Sequence, residues 1–282
     1  MNKTALTKTY TKDIQNSCLN SKKIVLSLAA ISFSASCTHA TLTPEIETYE
    51  ETNRHAKARS GFRSKSSNNN KTISSLQNST QTVSGTGNTL VIESGGTITI
   101  SNGSQQAVNF TQNSSTSTFL NQGTLIGGNN TASVQLGANN NNGVTIETFD
   151  NQGIIGNGSS KFGVTVWGKG NSKSTINNFS NSGTIHSNAG ESIYFGNANI
   201  SSFVNSGTIK SKQGAGVNIS QGTSIGNFNN TGTIEGKKDG IQINTNANVK
   251  TLTNKGTIKG DGISIRLNGT IETLTNEGIM SG

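Results

Sequence analysis

Phe119-Leu120-Asn121-Gln122-Gly123-Thr124-Leu125 is the first clear copy of a motif that occurs seven times in the chain. The motif runs aromatic or Leu, any residue, Asn, any residue, Gly, and it usually continues with Thr and an aliphatic residue. Its copies are spaced 30, 30, 24, 25, 24 and 22 residues apart and are anchored at Asn121, Asn151, Asn181, Asn205, Asn230, Asn254 and Asn276. A self-similar period of roughly 20–50 residues indicates a repeat architecture.

Each repeat contains two further short runs of alternating apolar residues. The second run supplies the pairs Val134/Leu136, Val164/Val166, Ile193/Phe195, Val217/Ile219, Ile241/Ile243 and Ile263/Ile265. The third run places an aliphatic residue three positions before the next aromatic or Leu, as Ile146 precedes Phe149. Alternation with a period of two, bounded by Gly and Asn, is typical of short strands that bury one face.

Three short strands in each repeat of about 25 residues predict an all-β fold, a parallel β-helix or β-solenoid, whose equivalent strands stack in register. We expect about seven to eight coils of 22–30 residues, with the Phe and Leu positions forming one interior column. Asn tolerates a left-handed backbone and its amide can bond to the same amide in the next coil, while the following Gly can take a positive φ. The repeated Asn residues are therefore predicted to form a structural ladder.

The composition also argues against a conventional globular core. Of the 282 residues, 34 are Gly and 39 are Asn, only 29% are hydrophobic and 13% are charged. Ordinary domains have roughly 45–50% apolar and about 25% charged residues. Disordered chains are rich in Pro and charge, whereas this chain has one Pro and regularly spaced apolar residues.

Three segments are predicted. Residues 1–40 resemble an extended signal peptide, because five Lys residues precede an apolar run at 24–36 that is too short to cross a bilayer. Cleavage is expected after Ala40, although Ser34-Ala35-Ser36-Cys37 also resembles a lipobox, which would make Cys37 a lipidation site. Residues 41–88 are predicted as a disordered linker and cap region, or alternatively as a basic patch for anionic polysaccharide or lipid. Residues 89–282 hold the β-helix repeats, incomplete at the C-terminus.

No catalytic residue, cofactor, metal site or nucleic-acid interface is predicted. Asp239 and Asp261 are the best carboxylate pair, but each precedes a Gly and is more simply explained by a turn. Residues 222–226 match a serine-hydrolase pattern, yet they lack the strand-to-helix elbow that the chemistry needs, and Ile225 is expected to point inward. His186 is expected to be an exposed residue after a strand.

Two aromatic residues are the best candidates for binding. If Val164, Val166, Ile193 and Phe195 face inward, the alternation places Trp167 and Tyr194 outward on adjacent coils. Exposed aromatic side chains stack on sugars or anchor protein partners. We therefore expect a host-cell surface protein or glycan as the partner of this face.

The extended leader, the cysteine-free repeats and the Asn-x-Gly-Thr-Ile motif together resemble autotransporter passenger domains, particularly the adhesin-like and vacuolating-cytotoxin-like proteins of Campylobacter and Helicobacter. The resemblance implies export, passage through an outer-membrane barrel and display at the cell surface or secretion. It also implies a non-enzymatic role in adhesion or as a structural stalk. Such proteins end in a translocator barrel that this sequence lacks, so we expect a truncated passenger. The full-length form is expected at the cell surface or secreted, and the truncated chain could instead be in the periplasm.

Two alternatives remain open at the level of sequence. A toxin-like passenger would be equally repetitive, and parallel β-helices also include polysaccharide-degrading enzymes. A vacuolation or permeability assay would identify the first, and release of reducing sugars from candidate glycans would identify the second.

Overall fold

The computed structural model describes residues 70–138 and 142–282. Within these ranges the chain forms 26 strands and no helix, so the all-β prediction is confirmed. These same ranges therefore contain no helix that is long and apolar enough to cross a membrane. The predicted signal peptide, Cys37 and residues 41–69 of the predicted linker lie outside the described residues.

The strands belong to three sheets, named here A, B and C. Sheet A contains β1 (Asn70–Ile73), β4 (Asn88–Ile92), β7 (Ser115–Asn121), β10 (Thr145–Asn151), β13 (Ser174–Asn181), β16 (Ala198–Asn205), β19 (Ser224–Asn230), β22 (Asn248–Asn254) and β25 (Thr270–Asn276). Sheet B contains β2 (Leu76–Gln77), β5 (Thr97–Thr99), β8 (Thr124–Ile126), β11 (Ile154–Ile155), β14 (Thr184–Ser187), β17 (Thr208–Ser211), β20 (Thr233–Gly236), β23 (Thr257–Gly260) and β26 (Ile279–Ser281). Sheet C contains β3 (Gln81–Val83), β6 (Val108–Phe110), β9 (Ala132–Leu136), β12 (Phe162–Trp167), β15 (Ile193–Gly196), β18 (Val217–Ile219), β21 (Asp239–Ile243) and β24 (Ile263–Leu267).

Each strand pairs in parallel with the equivalent strand of the next coil, three strands further along the chain. The chain therefore winds through sheets A, B and C in turn. Eight such turns are complete within the described residues, and β25 and β26 follow them. The fold is a parallel β-solenoid, as the repeat predicted.

The interior is built from columns of identical or similar side chains. Phe149 pairs with Phe179 and Phe179 with Phe203 in register, and their ring centroids are 4.5 Å and 5.0 Å apart. The column begins with Leu90, continues through Phe119 and Phe228, and ends with Leu252 and Leu274. Ring stacking of this kind adds to the energy of burial. The predicted column of Phe and Leu is thus confirmed.

The first coil begins earlier than the sequence analysis placed it. Strands β1, β2 and β3 lie within residues 70–88, which were assigned to the linker and cap region. Only Ile73 and Val83 of these strands are buried hydrophobic residues, and the coil lacks the Asn-x-Gly motif. A coil so poor in apolar residues carries little periodic signal, although its backbone pairs with the next coil like any other.

The pairing of the last repeat also differs from the expectation. Ile241 pairs with Ile265 and Ile243 with Leu267, whereas Ile263 pairs with Asp239 and is 42% exposed. The equivalence of Ile241/Ile243 with Ile263/Ile265 is therefore wrong. The last repeat is two residues shorter, and the shortening falls after β24, in the connection to β25, so it does not shift the strand.

The glycine of each motif is required for a reason that the sequence analysis did not give. None of the motif glycines has a positive φ, and neither do the ladder Asn residues. A Cβ added to Gly207 would instead lie 2.1 Å from the carbonyl oxygen of Gly183 in the coil below. The same contact recurs at every motif Gly, at 2.0–2.2 Å, so close backbone stacking excludes any side chain there.

Candidate binding surface

Sheet C carries the two aromatic residues singled out by the sequence. In β12, Val164 and Val166 are buried in the core, which turns the residue after each toward the outside. Tyr194 in β15 pairs with Thr165, and Gly196 pairs with Trp167. Trp167 and Tyr194 are therefore diagonal neighbours on the outer face, both partly exposed as predicted.

Trp167 and Tyr194 pack ring against ring on the outer face, and this pair is called here the aromatic platform. Their ring centroids are 4.5 Å apart and the rings are inclined by 36°. Gly196 makes this contact possible, because a Cβ at that position would lie 2.7 Å from the Tyr194 ring and 3.2 Å from the Trp167 ring. The absence of a side chain opposite Trp167 lets the two rings meet.

A polar residue is buried beside the platform, on the strand that pairs with Tyr194. Thr165 stands directly opposite Tyr194 on the outer face and is only 3% exposed. Its Oγ1 has no hydrogen-bond partner within the described residues. A buried hydroxyl without a partner costs free energy, and at 3% exposure Thr165 is covered by its neighbours.

A cleft of about 350 Å³ adjoins the platform. It is lined by Gly168, Lys169, Gly170, Asn197, Gln221 and Gly222. Gly168 and Asn197 directly follow Trp167 and Gly196 in the chain, so the cleft begins where the platform ends. Its size is at the lower end of the range for small-molecule sites, which is roughly 300–1,000 Å³.

Unequal connections between sheets C and A create the cleft. Residues 168–173 join β12 to β13, whereas Asn197 alone joins β15 to β16. The longer connection is a tight hairpin in which Lys169 and Ser172 exchange backbone hydrogen bonds of 3.0 Å and 2.8 Å. Asn197 has a φ of 53° and donates from Nδ2 to the carbonyl of Gly170 at 2.9 Å, which fixes one loop against the other.

No family model, curated protein or solved structure matches this chain.

The predicted Asn ladder is present. Six Nδ2 to Oδ1 hydrogen bonds of 2.7–2.8 Å link Asn121, Asn151, Asn181, Asn205, Asn230, Asn254 and Asn276 in sequence. Each residue except Asn276 is fully buried. Because the ladder uses these amides internally, they are committed to the solenoid and not to a ligand.

The two carboxylates weighed as catalytic or calcium-binding candidates each have a cationic partner. Asp239 is 3% exposed and accepts two hydrogen bonds from Arg266, at 2.8 Å and 2.9 Å. Asp261 is exposed and bonds to Lys237, and this hydrogen bond lowers the pKa of the Asp261 carboxyl. Within the described residues, no three His, Cys, Asp or Glu side chains are grouped to hold a metal ion.

The serine-hydrolase pattern at 222–226 lies where the sequence analysis placed it. Ser224 begins β19, Ile225 is buried in the core, and Thr223 donates from Oγ1 to the carbonyl of Phe195 at 3.1 Å. The segment runs from a turn at Gly222, where φ is 78°, into β19, and it does not turn into a helix.

His186 differs from its prediction. It lies within β14 rather than after it, and its Nε2 is buried without a hydrogen-bond partner among the described residues. Burial, followed by the charges of Lys212 and Lys210, lowers the pKa of His186, while Glu235 opposes them. The lowered pKa favours the neutral ring at neutral pH.

Sequence reasoning missed Lys169, Asn197 and Gln221, because no motif connects them. Only stacking brings the connections of successive coils together, at positions about 25 residues apart in the chain. A usable signal was present in Gly168-Lys169-Gly170, directly after the only Trp, because it opens a connection longer than the single residue that joins the same two sheets in the next coil.

Proposed function

We propose that this chain is a β-solenoid of the passenger type that acts in adhesion, with the aromatic platform of Trp167 and Tyr194 as its contact surface. The observation that carries the proposal is the platform itself, two touching aromatic rings on the outer face of a stacked sheet. A sheet held in register on both sides presents such rings with little loss of conformational freedom on binding.

The rest of the molecule supports a role as a scaffold. Coil stacks on coil through an unbroken core, so a contact surface can be carried away from its point of attachment. The export signal in residues 1–40, the autotransporter relationship and display at the cell surface are parts of the same proposal. The first is supported by five Lys residues before a short apolar run, and the other two by the sequence resemblance.

The proposal is tested with beads that carry the purified chain and are incubated with cultured epithelial cells. Replacing both Trp167 and Tyr194 with Ala removes the platform and leaves the interior columns unchanged. We expect bead attachment to fall by about tenfold, since aromatic anchors dominate the energy of such contacts.

The matched control is Ile154→Ala, which removes a 41% exposed aliphatic side chain from sheet B. Attachment should be unchanged by this substitution, and circular dichroism should show the same β-content for all variants. Equal attachment of the double variant and the parent chain would refute the proposal. Vacuoles in the treated cells would favour the toxin-like alternative.

A further inference from the structure

The aromatic platform exposes part of two aromatic rings to a sugar. The face of an aromatic ring is electron-rich, and the C–H groups on one face of a pyranose ring are its natural packing partners. With centroids 4.5 Å apart, the Trp167 and Tyr194 rings cover part of each other, so a sugar would meet the outward-facing side of the pair. Hydroxyl groups at the edge of such a sugar would then need polar partners beside the platform.

The cleft supplies these polar partners. The side-chain amide of Gln221 makes no hydrogen bond in the part of the chain that the structure describes, so both its donor and its acceptor are available. The backbone around it is held in place, because Gly222 donates to Asn246 at 3.1 Å and Asn197 donates to Gln221 at 3.2 Å. A fixed loop with a free amide suits the recognition of hydroxyl groups.

The charge of the cleft selects among sugars. Lys169 lines the cleft, and no carboxylate does. Lys173 lies on the same connection, and the ion pairs between described residues involve other Lys residues, namely Lys210, Lys237 and Lys255. A cation without a partner at the rim of a polar cleft attracts an anionic group.

We propose that the aromatic platform and the adjoining cleft bind glycans that contain a carboxylated sugar. One pyranose ring packs on the outward side of the Trp167–Tyr194 pair, its hydroxyl groups meet Gln221, and the carboxylate of the sugar reaches the ammonium of Lys169. This inference rests on the proposed adhesive function and gives the chemical class of its partner.

The test uses the intrinsic fluorescence of the purified chain. Trp167 is the only Trp in the chain, so any change in emission reports this surface directly. Four probes form two matched pairs: sialyllactose against lactose, and a hyaluronan tetrasaccharide against the neutral tetrasaccharide of N-acetylglucosamine. We expect at least one acidic probe to change the emission with saturation, and its neutral counterpart to bind about tenfold more weakly.

Lys169→Gln should reduce the preference for the acidic probe by about tenfold and leave the neutral counterpart unaffected. Lys250→Gln, an exposed Lys on sheet A, is the charge-matched control and should change nothing. Gly196→Val should weaken both members of the pair, because its side chain would push the Tyr194 ring off the platform.

Three results would overturn the inference: no saturable response to any probe, equal responses to acidic and neutral probes, or an equal loss in the Lys250 and Lys169 variants. A response to sialyllactose but not to hyaluronan would identify sialic acid as the source of the carboxylate. A response to hyaluronan but not to sialyllactose would identify a uronic acid. Loss of bead attachment in the double Ala variant without any acidic preference would leave adhesion standing and refute only the sugar class. A clear acidic preference with unchanged attachment would refute adhesion through this surface instead.

Discussion

At the scale of the residue, the repeated Asn performs two structural tasks at once. The side chain of Asn205 donates to Asn230 and accepts from Asn181, both at 2.8 Å, inside the core. Its backbone carbonyl accepts from the amides of Thr231 and Gly232 in the next coil, at 2.8 Å and 3.0 Å. Side chain and backbone therefore hold the same corner of the coil in register.

We expect Asn205→Ala to destabilise the chain by about 2–4 kcal/mol, since it leaves the buried Oδ1 of Asn230 without its donor and opens a small void. Asn276→Ala removes the same group at the exposed end of the ladder and should cost less than about 1 kcal/mol. Urea unfolding followed by circular dichroism measures both. Similar costs for the two substitutions would contradict a role for the buried ladder.

The ladder could be predicted from the sequence and the cleft could not. Asn151 and Asn181 recur in a fixed context, so the repeat itself reveals that they stack. Gln221 has an equivalent in Gln112, which occupies the same turn after β6, so its residue type does not mark the cleft. Only the length of the connections brings Gln221 and Lys169 to the same cleft. The motif Gly was predicted for the wrong reason. In the sequence, a Gly required by close stacking between coils looks the same as a Gly required by a turn.

At the scale of the element, the strands are too short to be stable alone. β13 has eight residues and β14 has four, and each depends on the parallel neighbours on its two sides. The sequence predicted these strands because their buried apolar residues, Ile176, Phe179 and Ile185, recur at the same places in other repeats. It missed β1 and β3, in which mainly polar residues pair through the backbone.

The Phe column gives an element-scale prediction. Phe203 contacts Phe179 and Phe228, with ring centroids 5.0 Å and 4.3 Å away. Phe203→Ala should cost about 3–5 kcal/mol, because the neighbouring coils cannot close the gap. Phe203→Leu should cost less than about 1.5 kcal/mol, since Leu252 already occupies an equivalent place in this column. Urea midpoints distinguish the two, and a mild effect of Ala would show that the column adapts more freely than its packing implies.

At the scale of the whole molecule, stability comes from contacts between adjacent coils. All three sheets pair each coil only with the coil before it and the coil after it. In such a molecule a complete coil is a removable unit, provided that the remaining strands meet in register.

Deleting residues 206–230 removes one whole repeat of 25 residues and joins Asn205 to Thr231-Gly232, which restores the motif. We expect a folded chain whose urea m-value falls by roughly an eighth, in proportion to the buried surface. Deleting only residues 206–217 joins Asn205 to Asn218 and should abolish cooperative unfolding, because the strands that follow lose their sheet. Cooperative unfolding of both variants would contradict the coil as the unit of stability.

The Asn ladder also makes the two ends of the solenoid chemically different. Every amide donates toward the C-terminal side, from Asn121 to Asn276, and Asn121 Oδ1 has no donor below it because Ile92 occupies that position. The row of amides therefore has a direction. It ends in an amide donor at Asn276, the C-terminal end, and in the aliphatic side chain of Ile92 at the N-terminal end. A further coil of the same kind could extend the ladder only from Asn276, at its C-terminal end.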